Sequence, residues 1–332
     1  MFHSEDQITP IDNFKRAIEG KPLWTPTWFE LQDFSPRILP DARARGFVLE
    51  AHSIDNDTEA GGPDMFGVEW EWVPQVGGSM VRAEAPQYLP DISKWEGIVK
   101  FPDPDSFDWA GSAAENAVFL DPDKVTMIWV FSGFFERLIS FMGFENAAIA
   151  LVDDEQKPYV HAIFDRLCTL YTAFFARFKK YYDADMVYFH DDWGGQYAPF
   201  FSVDTVHEML LPYLRRVAAS AHAEGLIFNF HSCGKIECFV PLMVEAGVDI
   251  WSGQMINDMP AILKEHAGEL LVVINPGLSF DQTYTEEEIA AKTALFLEAY
   301  DDYLDAVVFQ DFLPTDLAHQ RIYQYSREKF AG

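Results

Sequence analysis

Short apolar runs alternate with amphipathic stretches along most of the chain, and this alternation predicts its secondary structure. The apolar runs predict eight β-strands, at residues 23–29, 68–72, 125–131, 185–189, 226–230, 248–251, 271–274 and 306–309. The amphipathic stretches predict helices at residues 11–19, 134–151, 156–182, 204–224, 236–246, 259–266, 285–301 and 317–330. Strands that alternate with helices pair in parallel, and eight such units form a TIM (β/α)8 barrel. The predicted fold is therefore an α/β TIM barrel.

One segment departs from this pattern. Residues 31–112 are irregular and rich in proline, glycine and tryptophan, with the second predicted strand among them. A long irregular segment in a compact chain is usually functional, so we expect a lid or a wall of the site. No linker divides the chain, and residues 1–332 are predicted to form one domain, with an N-terminal helix and this insertion after the first strand.

Polar residues follow most of the predicted strands. They are Glu30, His190-Asp191-Asp192, His231-Ser232-Cys233, Gln254, Asn275 and Gln310-Asp311. Active sites of TIM barrels lie at the carboxyl ends of the strands, so this pattern predicts a site at that end.

An imidazole and a thiol stand two residues apart at the end of the fifth predicted strand. Residues i and i+2 of a strand point to the same side, so we expect His231 and Cys233 to converge on one ligand. A neutral imidazole with a thiolate suits Zn²⁺. The alternative is that Cys233 is a small buried hydrophobic residue and His231 a hydrogen-bonded core histidine.

The chain is strongly acidic, with 24 Lys and Arg against 53 Asp and Glu and a net charge of −29. Such a charge repels nucleic acid and anionic membranes, so we expect neither as a partner. Three cysteines are too few for a disulfide framework, and the first residues lack the features of a signal peptide. No apolar run is long enough to span a membrane, and the cytoplasm is the expected compartment.

Four segments of the chain resemble the uroporphyrinogen decarboxylase-like superfamily. They are Gly133-Phe134-Phe135-Glu136-Arg137 with Gly143-Phe144-Glu145, His190-Asp191-Asp192-Trp193-Gly194, Leu211-Pro212-Tyr213-Leu214 with His222, and His231-Ser232-Cys233-Gly234 followed by Glu245-Ala246-Gly247-Val248-Asp249. The last segment looks like the corrinoid-dependent methyltransferase branch rather than the decarboxylases. This resemblance implies the TIM barrel. It also implies zinc-assisted transfer of a methyl group between a corrinoid protein and a thiol cofactor, or demethylation of methoxylated aromatics and similar small donors.

The chain departs from both patterns of the superfamily. Decarboxylases present paired arginines just after the first strand, whereas residues 28–34 hold two acids and no arginine. An acidic mouth would repel a substrate with many carboxylates, so a decarboxylase-like lyase is less favoured. The thiol-methylating zinc enzymes supply a second cysteine near the last strand, where this chain has Gln310-Asp311. The metal set is therefore predicted as His231, Cys233, Gln254 and Asp311, with Glu30 and Asp191 as further candidate ligands.

These features favour an enzyme that moves a methyl group from a small, preferably aromatic, O-methylated donor to cob(I)alamin on a separate corrinoid protein. Zinc at His231 and Cys233 would act as a Lewis acid on the ether oxygen. Without zinc, Asp191 or Asp192 would donate a proton, and Glu30 is a further candidate catalytic residue. The alternative for the two aspartates is a helix cap or a salt bridge.

Aromatic residues near the strand ends are predicted to form a flat donor pocket. The candidate lining residues are Trp28, Trp129, Tyr188, Trp193, Trp251 and Asn275, although aromatic residues also supply bulk wherever they are buried. Two further functions stay open. One is a methylcobamide:thiol methyltransferase, and the other is a barrel that binds ligands without catalysis.

Overall fold

The computed structural model describes residues 8–75, 77–278, 282–310 and 317–331. The strands in these ranges are β1 Leu31–Phe34, β2 Gly61–Pro63, β3 Glu69–Val73, β4 Gly78–Val81, β5 Val125–Val130, β6 Met186–His190, β7 Ile227–Ser232, β8 Ile250–Gly253, β9 Leu271–Ile274 and β10 Val307–Phe309.

The α-helices of the same ranges surround or extend the strands. They are α1 Pro10–Ile18, α2 Pro40–Arg45, α3 Asn56–Glu59, α4 Trp95–Ile98, α5 Trp109–Asn116, α6 Phe135–Met142, α7 Phe144–Ala150, α8 Lys157–Tyr182, α9 Val203–Met209, α10 Leu211–Ala223, α11 Val240–Ala246, α12 Met259–His266, α13 Glu286–Ala299 and α14 Leu317–Ala331. Within the described ranges, no helix combines the length and the apolar character needed to cross a bilayer.

Seven parallel strands form a curled sheet in the order β1-β5-β6-β7-β8-β9-β10. The two edges meet just before β1, where Thr27 forms a parallel bridge with Phe309 and the Phe309 amide donates a 2.9 Å hydrogen bond to the Pro26 carbonyl. The predicted TIM-barrel fold is confirmed. Six of the seven barrel strands coincide with predicted runs, because strands covered on both sides are continuously apolar.

The predicted first strand, residues 23–29, is wrong. Among the described residues its one ladder contact is the Thr27 bridge, and a short 3₁₀ turn, Trp28–Glu30, separates it from β1. Pro26 has no N–H to donate to a ladder. The Glu30 carboxylate accepts the Thr27 amide at 2.8 Å and the Trp24 indole N–H at 2.7 Å, which fixes the turn and delays the strand to Leu31.

The second predicted strand belongs to another sheet. Residues 69–73 form the middle strand of a small antiparallel sheet, β2-β3-β4, so the described residues provide seven barrel strands rather than the predicted eight. The insertion is therefore folded rather than irregular. Two buried ion pairs help to attach it to the barrel: the Arg137 guanidinium on α6 lies 2.6 Å from Asp41 and 2.7 Å from Asp64.

Two long predicted helices are each broken in two. The predicted helix 134–151 is interrupted at Gly143, which has a φ of 77°. Glycine adopts this φ without steric cost. The predicted helix 204–224 is interrupted at Leu210, two residues before Pro212, which cannot donate a helical hydrogen bond.

The barrel interior is layered. Inward-facing residues of the strands, such as Leu31, Met127 and Met186, pack with Phe14 and Ala17 of α1, which closes the amino-terminal end. Two residues further along each strand, the inward positions approach the carboxyl-terminal mouth. The candidate site lies in this mouth.

Candidate metal centre

The carboxyl ends of β6 and β7 bring two histidines together. His190 and His231 are partners in the parallel register of these strands, so both side chains leave the sheet on the same side. Their rings stack with centroids 4.6 Å apart and an interplanar angle of 19°. The candidate site therefore contains two imidazoles, one from the end of β6 and one from the end of β7.

A thiol and a carboxylate complete a cluster of four donor groups. His190, Asp192, His231 and Cys233 each place one ligand atom within 4.8 Å of all the others. The Nε2 atom of His231 lies 3.3 Å from the Cys233 Sγ and 4.0 Å from the Asp192 Oδ1. The Nε2 atom of His190 lies 3.7 Å from the same Oδ1 atom. The predicted convergence of His231 and Cys233 is confirmed.

The spacing of these atoms fits a tetrahedral ion. Zinc bonds of about 2.0–2.3 Å at tetrahedral angles place neighbouring donor atoms about 3.3–3.6 Å apart. The corresponding separations in the structure are 3.3, 3.7 and 4.0 Å, so the first lies in this range and the other two are slightly longer. Two imidazoles, a thiol and a carboxylate are also ligand types that zinc accepts. The residues therefore fit a zinc ion by both geometry and chemistry.

A second carboxylate holds His190 in place. The Nδ1 atom of His190 lies 2.5 Å from the Glu136 Oε2 atom, so the Nδ1–H group donates to that carboxylate and Nε2 is left for a ligand. Burial alone would raise the pKa of Glu136, but the charges of His190 and Arg45 lower it to about 2. Burial opposes protonation of His190, yet Glu136 and then Asp192 raise its pKa overall. Neither Glu136 nor the place of His190 in this cluster was predicted from the sequence.

Arg45 connects this arrangement to the insertion. Its guanidinium donates to Glu136 Oε1 at 3.2 Å and to the Ser132 hydroxyl at 2.8 Å. It also lies over the Trp70 ring of the small sheet, 4.8 Å from the ring centroid. The insertion is thus a fixed wall of the site.

Asp191 stabilises the helix that carries Glu136. Its carboxylate accepts the backbone N–H groups of Phe134, Phe135 and Glu136 at 2.9–3.2 Å, as a cap at the start of α6. It also accepts the Trp193 indole N–H at 2.9 Å. Asp191 has no exposed surface, and these contacts match the helix cap that was the alternative to a catalytic role.

Of the two aspartates predicted as candidate proton donors, Asp192 is the one that belongs to the cluster of four donor groups. Its Oδ1 atom accepts the Cys233 backbone N–H at 2.7 Å, which ties the loop after β6 to the loop after β7. The same two loops touch at Gly194 and Gly234, where a Cβ atom on Gly234 would lie 2.2 Å from the Gly194 carbonyl carbon. Gly234 also has a φ of 97°, so both the contact and the backbone require glycine.

His231 and Cys233 differ in how burial affects them. Burial, reinforced by the neighbouring His190, lowers the pKa of His231 to about 4, so its ring is a neutral nitrogen ligand at physiological pH. Burial and then the Asp192 charge raise the pKa of the Cys233 thiol. A thiol that becomes a metal ligand loses its proton, so binding a cation here would release one proton from Cys233.

Aromatic rings continue from the cluster of four donor groups toward β1. Tyr188 stacks on His231 with ring centroids 5.5 Å apart, and the ring centroids of Trp129 and Tyr188 are 4.5 Å apart. Trp28 meets Tyr188 edge-on at 6.1 Å. Asp33 accepts the indole N–H groups of Trp28 at 3.1 Å and Trp129 at 2.8 Å. Three of the predicted lining residues thus form one aromatic surface, together with an aspartate that sequence analysis missed.

Other predicted lining residues lie elsewhere. Trp193 and Trp251 have no exposed surface and pack in the core between strands and helices, so neither contacts a ligand in the mouth. Asn275 turns the chain after β9, where its Oδ1 atom accepts the Gly277 N–H at 2.7 Å.

The remaining predicted ligands stay outside the cluster of four. The side-chain oxygen of Gln254 accepts the Gly234 N–H at 2.9 Å and so supports the loop after β7. Glu30 is buried in the turn before β1 and holds that turn, which removes the basis for a catalytic or metal role at the mouth. Asp311 lies outside the described residues.

Comparisons with known proteins agree with this architecture. The family model described as uroporphyrinogen decarboxylase matches residues 59–301. A methyltransferase from Methanosarcina mazei is 13% identical, with 98% of this chain and 100% of that chain covered and a TM-score of 0.64, and it supports the fold.

Other solved structures are less similar. An Old Yellow Enzyme from Pichia sp. is 13% identical over 69% of this chain and 68% of that chain, with a TM-score of 0.38. A sugar phosphate isomerase/epimerase from Parabacteroides distasonis is 11% identical over 60% of this chain and 86% of that chain, with a TM-score of 0.32. A search of curated proteins found no significant match. The family match covers most of the chain, and the chain belongs to the uroporphyrinogen decarboxylase family.

Proposed function

We propose that this protein is a corrinoid-dependent methyltransferase that removes a methyl group from a small O-methylated, preferably aromatic, donor. The observation that carries the proposal is the cluster of His190, Asp192, His231 and Cys233, whose ligand atoms lie within 4.8 Å of one another. The similar fold of the M. mazei methyltransferase and the aromatic surface beside the cluster support it.

The four clustered side chains would hold zinc. When bound, zinc would supply a Lewis acid for the ether oxygen of the donor. The chain itself prepares the ligands. Glu136 fixes the orientation of the His190 ring, burial keeps His231 neutral, and Asp192 holds the Cys233 backbone. Such pre-positioning lowers the reorganisation needed when an ion binds.

The aromatic surface would orient the donor. Trp129 and Tyr188 lie next to the imidazole of His231, so an aromatic donor that packs on them is adjacent to the metal ligands. During transfer, the bond between carbon and oxygen would break with its electron pair left on oxygen. The methyl group would be received by cob(I)alamin on a separate corrinoid protein, the nucleophile of this reaction class.

Two measurements test this function. The purified chain should contain zinc, and it should convert cob(I)alamin to methylcobalamin with at least one aryl methyl ether from a panel, followed by the change in absorbance. His231→Ala and Cys233→Ala should abolish both properties. Cys238→Ala is the matched control, because Cys238 is an exposed cysteine that has no ligand atom in the cluster. Normally folded His231 and Cys233 variants with full activity would refute the proposal.

A thiol methyltransferase that works in the opposite direction is the second candidate, because Cys233 offers a sulfur ligand to a metal. A metal-bound sulfur ligand gained when a thiol substrate is added would favour it over demethylation. Decarboxylation of a polycarboxylate is disfavoured, because Asp33 and Asp192 place acidic groups in the mouth of a chain of net charge −29.

A further inference from the structure

Asp33 lies on the inner side of the barrel, at the end of the aromatic surface formed by Trp28 and Trp129. Leu31, two residues earlier on β1, packs in the interior cluster, while Phe34 packs in the outer core between sheet and helices. Side chains alternate along a strand, so Asp33 points inward and one layer closer to the mouth than Leu31. Its contacts with Trp28 and Trp129, which belong to or pack against the same interior cluster, agree with this direction.

The carboxylate of Asp33 is held by two indoles rather than by a cation. Trp28 and Trp129 each donate one N–H group, at 3.1 and 2.8 Å, to different oxygens of Asp33. No ion pair in the described part of the chain includes Asp33. A carboxylate in an apolar surrounding normally has a paired charge or a full set of hydrogen bonds, so this environment differs from that of a structural aspartate.

Acceptor capacity remains on this carboxylate. An ionised carboxylate offers about four acceptor sites, and the two indoles fill two of them. Asp33 is partly exposed as a residue, so a molecule in the mouth can reach it. Burial raises the pKa of Asp33, although the hydrogen bonds from Trp129 and Trp28 and the charge of Lys124 lower it. The desolvation of this group is thus incompletely offset by the protein's own donors.

We propose that Asp33 is a substrate-binding residue that accepts a hydrogen bond from a polar N–H or O–H group on the methyl donor. The preferred donors are then methoxyarenes that carry a phenolic hydroxyl or an ammonium group, and carboxylated methoxyarenes are rejected by like charge. This subsite rests on the proposed function for the identity of the ligand as a methyl donor.

Four probes of similar shape distinguish these chemistries by isothermal titration calorimetry without any corrinoid. They are 3-methoxyphenol, 3-methoxybenzylamine, 3-methylanisole and 3-methoxybenzoate. A hydrogen bond to a buried charged group predicts that the phenol or the amine binds at least about tenfold more tightly than 3-methylanisole, with the benzoate the weakest. The probe that gains the most identifies the group as a hydroxyl or an ammonium.

Asp33→Asn should reduce this preference to less than about threefold, since the amide keeps an acceptor for an indole but loses the charge. Asp123→Asn is the matched control, because Asp123 is exposed before the amino-terminal end of β5 and should leave the preference unchanged. The wild-type series keeps the proposal falsifiable even if Asp33→Asn does not fold. Equal or tighter binding of 3-methylanisole, a preference that survives in Asp33→Asn, or no measurable binding of any probe would overturn it.

Binding and methyl transfer can fail separately. If the Asp33-dependent preference holds but no probe is demethylated with cob(I)alamin, the proposed function is wrong and the subsite stands. If 3-methylanisole is demethylated as efficiently as both 3-methoxyphenol and 3-methoxybenzylamine, the function stands and the subsite is wrong.

Discussion

The two halves of the barrel mouth are built differently. The metal half, His190, Asp192, His231 and Cys233 at the ends of β6 and β7, is fixed by hydrogen bonds from the protein itself. The donor half, Trp28, Asp33, Trp129 and Tyr188, consists of ring surfaces around one carboxylate. The metal half resembles a site organised before its ligand arrives, whereas the donor half leaves polar capacity for a ligand to use.

This difference predicts which property a variant in each half should change. A change in the metal half should alter metal binding and every activity together, whatever the donor. A change in the donor half should alter the choice among donors and leave the metal content unchanged.

The largest effect is expected at the thiol ligand. Cys233→Ala removes one of four ligand atoms and should lower methyl transfer by about a thousandfold or more, because metal-based charge stabilisation is worth several kcal/mol. Activity of the purified variant, measured with added zinc, checks this. Activity within tenfold of wild type would remove Cys233 from the mechanism.

The next largest effect is expected at the buried ion pairs between the insertion and α6. Arg137→Met leaves the buried carboxylates of Asp41 and Asp64 without their shared cation and should lower the free energy of unfolding by about 3–5 kcal/mol. Urea denaturation checks this. Arg82→Met is the control, because the Arg82–Glu69 pair is exposed and should contribute little. Equal effects of the two variants would mean that the buried pair does not anchor the insertion.

A smaller effect is expected behind the metal ligands. Glu136→Gln keeps the size of the side chain but loses the charge that orients His190, and it should weaken metal affinity about 10–100-fold. Competition with a chromogenic chelator measures the affinity. Glu145→Gln, an exposed change on α7, serves as the control. Unchanged affinity in Glu136→Gln would show that His190 needs no partner.

The smallest effect is expected on the ring surface. Trp129→Leu removes aromatic area and one indole donor to Asp33, and it should raise KM for an aromatic donor roughly three- to tenfold. Steady-state kinetics with metal analysis of the same sample checks this. A loss of metal in this variant would contradict the separation of the two halves.

The sequence predicted part of the metal half, for a physical reason. His231 and Cys233 are neighbours in sequence, and the alternation of a strand is enough to pair them. The same spacing relates His190 to Asp192 and puts Asp191 on the other side, so this part of the site was predictable in principle. Glu136 was not, because 54 positions separate it from His190 and only the capped start of α6 brings them together.

The start of the first barrel strand, by contrast, was predicted wrongly. Residues 23–29 are apolar enough to be predicted as a strand, but a proline and the Glu30 turn move the strand to Leu31. This shift took Glu30 out of the mouth and brought Asp33 into it. Apolar content alone does not determine where a strand begins, since turn chemistry and tertiary pairing decide it.

The most direct test of the central claim is elemental analysis of the purified wild-type chain beside Cys233→Ala and Cys238→Ala. The account predicts about one zinc ion per chain in the wild type and in Cys238→Ala, and a large loss of zinc in folded Cys233→Ala. Equal metal content in the two cysteine variants, or no metal in the wild type after incubation with zinc, would contradict it.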